Sequence, residues 1–296
     1  MKLAGILTVG TYYSPWIPYT IASIYQICDF MVIVNGGYDI KNPNKNEYNI
    51  PLEKVIKDIA SLDIKGKIIE IKGFTVEDIE HKAPLMTQAE ASKQGMVQTG
   101  AILVWRGNWF DMRGLGLTLA NETAVKRGAN MILKIDSDQV CYRDVLSFRA
   151  ETGGLIFHQY EFLGDVFHLA EPPPASPYND SVFSYLAKRG QYYGGGGAPA
   201  IFTEREPTSK YHCAHLRYAN PLFSSNHEKF EHFFGRLWFA YYTNEGLWGE
   251  ELKRRAEHGA RELLKRTGKP SNVAPPDVCL LDPISYIEET KKEGDV

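Results

Sequence analysis

The first 140 residues carry short, unbroken apolar runs separated by longer amphipathic stretches. Residues 3–9 run apolar into Gly10, and residues 30–34 run into Asn35, Gly36 and Gly37. Residues 101–105 repeat the form, and residues 67–71 and 131–135 do so with charged residues Lys67, Glu70 and Lys134 among them. Runs of this length without alternation predict strands buried on both faces. Between them, residues 18–28, 51–61 and 115–127 carry helical content, with Pro18 in a first turn and Gly128 as a C-cap. Residues 74–98 are more polar and predict another helix. Strand–helix repetition predicts an α/β fold with a mostly parallel central sheet covered by helices. In such sheets ligands lie at the carboxyl ends of the strands.

The second half has a different texture. Residues 155–160 predict a strand, and Pro172, Pro173 and Pro174 then hold the chain extended. Gly194 to Gly197 read either as a hinge over a ligand or as a plain loop; no Gly-Lys-Ser/Thr follows, so they are not a P-loop. Residues 200–203 predict a strand, 228–266 are mainly helical, and the proline-containing stretch from 269 predicts an irregular tail. The pattern divides the chain at about 140 and about 227 into an α/β half, a segment completing the same domain, and a helical extension.

Composition narrows the function class. The 296 residues suffice for a sizeable core, and 44% hydrophobic with 23% charged residues describes a globular chain. A net charge of -3 argues against a broad nucleic-acid-binding surface. Cys28, Cys141, Cys213 and Cys279 are scattered with no C-x-x-C pair, which disfavours a disulfide scaffold or structural zinc and fits a reducing compartment. The apolar N-terminal run is too short for a signal peptide, and no stretch approaches a membrane span of about 20 apolar residues. The expectation is a cytoplasmic protein, with peripheral membrane contact left open.

The candidate chemistry begins at Asp136-Ser137-Asp138, directly after a predicted buried strand. Two ionised carboxylates about 4 Å apart repel by roughly 4 kcal/mol at an effective dielectric of 20. A divalent cation removes that cost and still binds phosphate, and Mg²⁺ or Mn²⁺ suits such an oxygen site. Taken alone, the tripeptide reads as well as a polar turn capping a helix.

The order of the segments resembles the nucleotide-diphospho-sugar transferases of GT-A fold, in particular the family 2-type glycosyltransferases. The resemblance rests on residues 7–13, on 17–24 with Ile17-Pro18-Tyr19, and on Val32-Ile33-Val34-Asn35-Gly36-Gly37-Tyr38-Asp39. Arg113-Gly114, Ala120-Asn121, Gly128 and a hydrophobic strand then lead to Asp136-Ser137-Asp138. It covers roughly residues 3 to 140. One departure is that the second strand ends in Asn35 where the family has aspartates, so that Asp39 is the substitute carboxylate.

The resemblance implies a metal-dependent glycosyltransferase taking a nucleotide-diphosphate sugar as donor, with Mn²⁺ or Mg²⁺ as cofactor. Thr8, Gly10, Thr11, Tyr12 and Asp39 would line the nucleoside end, and Arg113 and Arg217 would meet the diphosphate. Asp136 and Asp138 would hold the metal, joined by a histidine from the second half, for which His212 and His215 are the candidates. Their i, i+3 spacing suits one helical face, whereas a strand turns them opposite ways. Lys134 serves either the phosphates or a pair at the sheet edge. For an inverting reaction Glu161 or Asp165 is the candidate general base, beside Asp138 at the leaving group.

The acceptor is unspecified: a glycan, a small molecule or a lipid-linked sugar. The aromatic run from Phe230 to Tyr242 reads chiefly as core, with a homodimer face or membrane contact as the remainder. Two rivals stand beside this reading. One is a nucleotidyltransferase that forms a nucleotide sugar, against which the first turn, Gly10 to Pro15, offers no Lys or Arg. The other is a non-catalytic carbohydrate- or nucleotide-binding protein.

Overall fold

The computed structural model describes residues 1–9, 15–35, 52–72, 102–105, 108–148, 155–171, 182–190, 208–219, 261 and 265–291. Through residue 126 the elements are β1 (Leu3–Val9), α1 (Ile17–Tyr25), β2 (Phe30–Asn35), α2 (Leu52–Leu62), β3 (Ile68–Lys72), β4 (Ile102–Trp105), β5 (Asn108–Asp111) and α3 (Met112–Lys126). There follow β6 (Met131–Lys134), β7 (Gln139–Cys141), a 3₁₀ turn at Arg143–Ser147, β8 (Leu155–Leu163), β9 (His168–Glu171), β10 (Phe183–Leu186) and β11 (Thr208–Tyr218). The chain closes with β12 (Thr267–Pro270), a 3₁₀ turn at Asp277–Leu280 and α4 (Pro283–Thr290).

β1 is buried because it has parallel partners on both edges, β2 and β6, and helices on both faces. β3 extends the parallel set beyond β2. On one face α1 brings Ile17, Ile21 and Ile24 against Leu7, Val9, Ile33 and Leu133. On the other, α3 brings Leu115, Leu117, Ala120 and Ala124 against Ala4, Ile6, Val32 and Ile132. The packing of α1 and the chain after it against β1 is tight at Gly5, where a larger residue would need its neighbours to shift by a few tenths of an ångström. A Cβ on Gly5 would lie 3.1 Å from Cys28 Sγ and 3.2 Å from Ile24 Cδ1.

Beyond β6 the direction changes, and this corrects the expectation of a mostly parallel central sheet in a GT-A fold. β10 lies antiparallel between β6 and β8, β9 is antiparallel to β8, and β12 is antiparallel to β9. β11 runs parallel to β8 on one edge and antiparallel to β7 on the other. The sheet is mixed, and antiparallel pairings outnumber parallel ones among the described residues. The α/β layering stands; the strand directions do not. The physical reason is β10, whose four residues are too short to show any period in the sequence, yet which reverses the sheet beside β6. β4 also leaves the expected pattern by pairing with β5 as a separate antiparallel hairpin.

Residues 267–290 form β12, a 3₁₀ turn and α4 where their prolines predicted an irregular tail. Asp282 caps α4 by accepting from Ile284 and Ser285 backbone N–H groups at 3.1 Å. Tyr286 and Ile287 enter the α1-side core, and the Gln26 side-chain amide donates to the Ile287 carbonyl at 2.6 Å. Among the described residues no helix is long and apolar enough to cross a membrane. The predicted helix over 74–98, the tetraglycine, the strand at 200–203 and the aromatic run lie outside the described residues.

Gly128 ends α3 with φ +84°, and nothing lies within 4 Å of a Cβ placed there. The cost of an L side chain is therefore backbone strain alone. Gly128→Ala should lower unfolding free energy by about 1–2 kcal/mol, and Gly128→Asn by less. Urea midpoints at constant slope measure both, and an unchanged midpoint for Gly128→Ala would count against the left-handed cap.

Candidate active site

The site grows from the end of β6. Ile135 continues the pairing with β1, its N–H donating to Ile6 carbonyl at 3.2 Å, and the chain then turns through Asp136, Ser137 and Asp138. Three bonds fix this turn. Asp136 N–H donates to Gln139 Oε1 at 2.8 Å, Gln139 N–H donates to Asp136 carbonyl at 3.1 Å, and Thr20 Oγ1 on α1 donates to Ser137 carbonyl at 3.1 Å. Leu216 N–H on β11 donates to Asp138 carbonyl at 2.8 Å.

That last bond sets the chemistry. β11 lies between β7 and β8, with His215 opposite Gln139 on one side and Glu161 on the other. His215 Nε2 is 3.6 Å from Asp138 Oδ2, and its Nδ1 is 3.5 Å from Glu161 Oε1. Both distances are ion-pair contacts slightly longer than hydrogen bonds. Glu161 is also ion-paired with Arg266, which immediately precedes β12. On the β6 side, Lys134 is fully buried and its ammonium is 2.6 Å from Asp136 Oδ2 and 5.6 Å from the Phe183 ring centroid.

Charge rather than burial governs the two titratable groups at the centre. Burial alone would lower the His215 pKa, but the Asp138 and Glu161 carboxylates outweigh it and raise it to about 10. Burial would raise Glu161, but His215 and Arg266 outweigh it and hold it at about 2. At neutral pH the buried row is therefore carboxylate, imidazolium, carboxylate, guanidinium. Each charge faces an opposite one, as withdrawal from water requires.

The structure brings Asp138, Glu161 and His215 together, with Asp136 on the same turn as Asp138 and paired to Lys134. It does not bring His212. β11 is a strand, so His212 projects from the opposite face, where its Nδ1 lies 2.6 Å from Asp144 Oδ2. Asp165 sits in the turn after β8, accepting from Phe167 N–H at 2.7 Å and lying 2.7 Å from His168 Nδ1. Thr8 is half-buried in β1 opposite Val34, one residue before its end. Arg113 lies in the first turn of α3 rather than in a loop, and Arg217 lies within β11. Gly10, Thr11, Tyr12 and Asp39 lie outside the described residues.

Sequence reasoning missed Arg266, and no local signal points to it, since 105 positions separate it from Glu161. It also missed Gln139 and Thr20, whose roles exist only once α1 and β7 meet the turn. Behind the site, Cys141 and Cys213 face each other across β7 and β11. Burial raises both thiols, Cys213 to about 12, which keeps them protonated and unreactive. Among the described residues no three His, Cys, Asp or Glu side chains converge as a ready metal shell.

No family model matches the chain, and no curated protein matches it. Solved structures that match include a putative glucose-1-phosphate thymidylyltransferase from Bacillus anthracis, in complex with a sucrose. It shares 13% identity over 63% of this chain and 72% of that one, with a TM-score of 0.28. That superposition is too loose to define a shared fold.

The two shifted groups set opposite pH limits on stability. The His215 contribution is full below its ordinary 6.5 and is lost as pH rises toward about 10. The Glu161 contribution is full above its ordinary 4.5 and is lost as pH falls toward about 2. Across the alkaline interval wild type should lose thermal stability that His215→Gln has already lost, so their melting curves converge. Melting temperatures separated by a constant gap across that interval would show that the imidazolium is not what the fold stabilises.

Proposed function

We propose that this chain acts on a nucleotide-diphosphate sugar, held with its diphosphate at the Asp136-Ser137-Asp138 turn, and transfers the sugar to a hydroxyl acceptor. The observation that supports this reading is the meeting of Asp138 with His215, 3.6 Å apart, beyond the ends of parallel strands β1 and β6. Two ligands of one ion at bonds of about 2.1 Å stand about 3.0–3.5 Å apart. The Asp138–His215 spacing is thus close to what a shared cation needs.

In this reading Asp138 and His215 hold Mn²⁺ or Mg²⁺, with phosphate oxygens and water completing the shell. The ion would supply positive charge against the departing diphosphate. Asp136 is engaged by the buried Lys134, which neutralises it within the turn. Glu161 is a positioning residue: a carboxylate held at about 2 is a poor base, and it orients the His215 ring instead. The proton of the acceptor hydroxyl then goes to another carboxylate, for which Asp165 is the candidate, or to the departing phosphate. Thr8, Gly10, Thr11, Tyr12 and Asp39 are assigned to the nucleoside, and Arg113 and Arg217 to the diphosphate.

A second reading is formation of the nucleotide sugar from a nucleoside triphosphate and a sugar phosphate. That reaction brings two polyanions together, and the Lys134–Asp136 pair leaves one aspartate fewer uncompensated at the turn where they would meet. The two reactions release different products, a nucleoside diphosphate in one case and pyrophosphate in the other.

Calorimetric titration with a panel of nucleotide sugars, with and without Mn²⁺, tests the common premise, and phosphorus NMR of the products separates the two reactions. Wild type should bind one donor in a metal-dependent manner, and Asp138→Ala should weaken that binding at least 100-fold while remaining folded. Failure of the folded, Mn²⁺-supplemented protein to bind any donor would overturn the reading.

A further inference from the structure

Strand alternation places a second pair of histidines on the face of β8 and β11 opposite to Glu161 and His215. His158 on β8 and His212 on β11 are direct cross-strand partners, and their ring centroids are 5.6 Å apart. Asp144 Oδ2, 2.6 Å from His212 Nδ1, occupies that nitrogen and leaves Nε2 as the one available to a ligand. Tyr160 stacks on the His212 ring with a 10° interplanar angle and 5.7 Å between centroids, which fixes the ring plane. His158 is exposed, and the His212 side chain retains 34% of its accessibility, so both rings reach solvent.

We propose that His158 and His212 together bind a borderline divalent cation of the Zn²⁺ or Cu²⁺ type. Two imidazoles sharing one ion through bonds of about 2.0–2.1 Å have ring centroids roughly 5–5.5 Å apart. The observed 5.6 Å separation lies just beyond that span. A carboxylate on the far nitrogen of a ligating histidine fixes the tautomer and raises the basicity of the ligating nitrogen, and Asp144 stands in that position. The donor set also separates this site from the Asp138 turn. Paired imidazoles select Zn²⁺ or Cu²⁺, whereas one imidazole with carboxylate and phosphate oxygens, as proposed for the Asp138 turn, is a harder set.

With two protein ligands the remaining positions belong to water or to a donor from another molecule, so the site is an open one. Its place in the sheet gives it a consequence. The ion ties β8 to β11, and three residues further along both strands the register pairs His215 with Glu161. Binding to the native state alone then raises the melting temperature by mass action.

The test uses the full chain, stripped of metal, titrated with Cu²⁺ and followed by electron paramagnetic resonance. Wild type should take up one Cu²⁺ with two coordinated nitrogens. His158→Gln, at an exposed position, should lose one nitrogen and at least tenfold in affinity. His212→Gln should do the same, and Asp144→Asn should keep both nitrogens while weakening binding by about tenfold. Asp138→Ala should leave the signal intact, which separates this site from the proposed donor site. A Cu²⁺ spectrum and affinity unchanged in His158→Gln would overturn the proposal, as would loss of the signal in folded Asp138→Ala.

Discussion

The structure around the candidate site depends on one constraint: charges withdrawn from water must be paired inside the protein. Asp136 faces Lys134, Asp138 faces His215, and Glu161 faces both His215 and Arg266. Breaking a buried pair by removing one partner costs about 3–5 kcal/mol, because the survivor is left uncompensated. The turn after β6, the placement of β11 between β7 and β8, and the approach of Arg266 are thus one electrostatic arrangement. None of these segments could shift alone without exposing a buried charge to an apolar neighbour.

The same arrangement explains why the C-terminal residues are ordered. Arg266 is held by Glu161, and β12 follows it directly onto β9. From there the chain crosses to α1, where α4 packs, and Arg143 is ion-paired with Asp277 at 3.4 Å and Glu289 at 3.2 Å. These last pairs are partly exposed and worth little individually. The apolar contacts of Tyr286 and Ile287 carry the packing. The proline-rich composition of this stretch concealed that, since prolines suppress helical pattern without preventing a short capped helix.

How much was legible follows from the range of the forces involved. β1, β2 and β6 are buried on both faces and, with the partly buried edge strand β3, leave short apolar-rich runs, so their existence and limits are readable within a residue or two. The turn of aspartates was readable because a polar tripeptide interrupts such a run. The antiparallel half was not. β7 and β10 have three and four residues, and β11 carries a His-x-x-His spacing that fits a helix as readily as a strand. Only pairing to β7 and β8 decides it. Once decided, alternation sends His215 to the aspartates and His212 to Asp144, and no local feature of the heptapeptide Tyr211 to Arg217 could have divided them.

Charge balance also bears on the proposed ligand. The Asp136, Asp138, Glu161, His215, Lys134 and Arg266 set is internally compensated as it stands. A bare divalent cation entering beside an imidazolium meets a like charge, and for His215 to become a ligand it must first release a proton. A diphosphate entering alone meets Asp136 and Asp138. The two together carry nearly cancelling charge and disturb the balance least. A site balanced this way would have weak demand for either component separately and a joint demand for both. If the proposed ligands bind here, metal and nucleotide affinities would be coupled through the field of the site, to which Lys134 and Arg266 contribute the fixed positive charge.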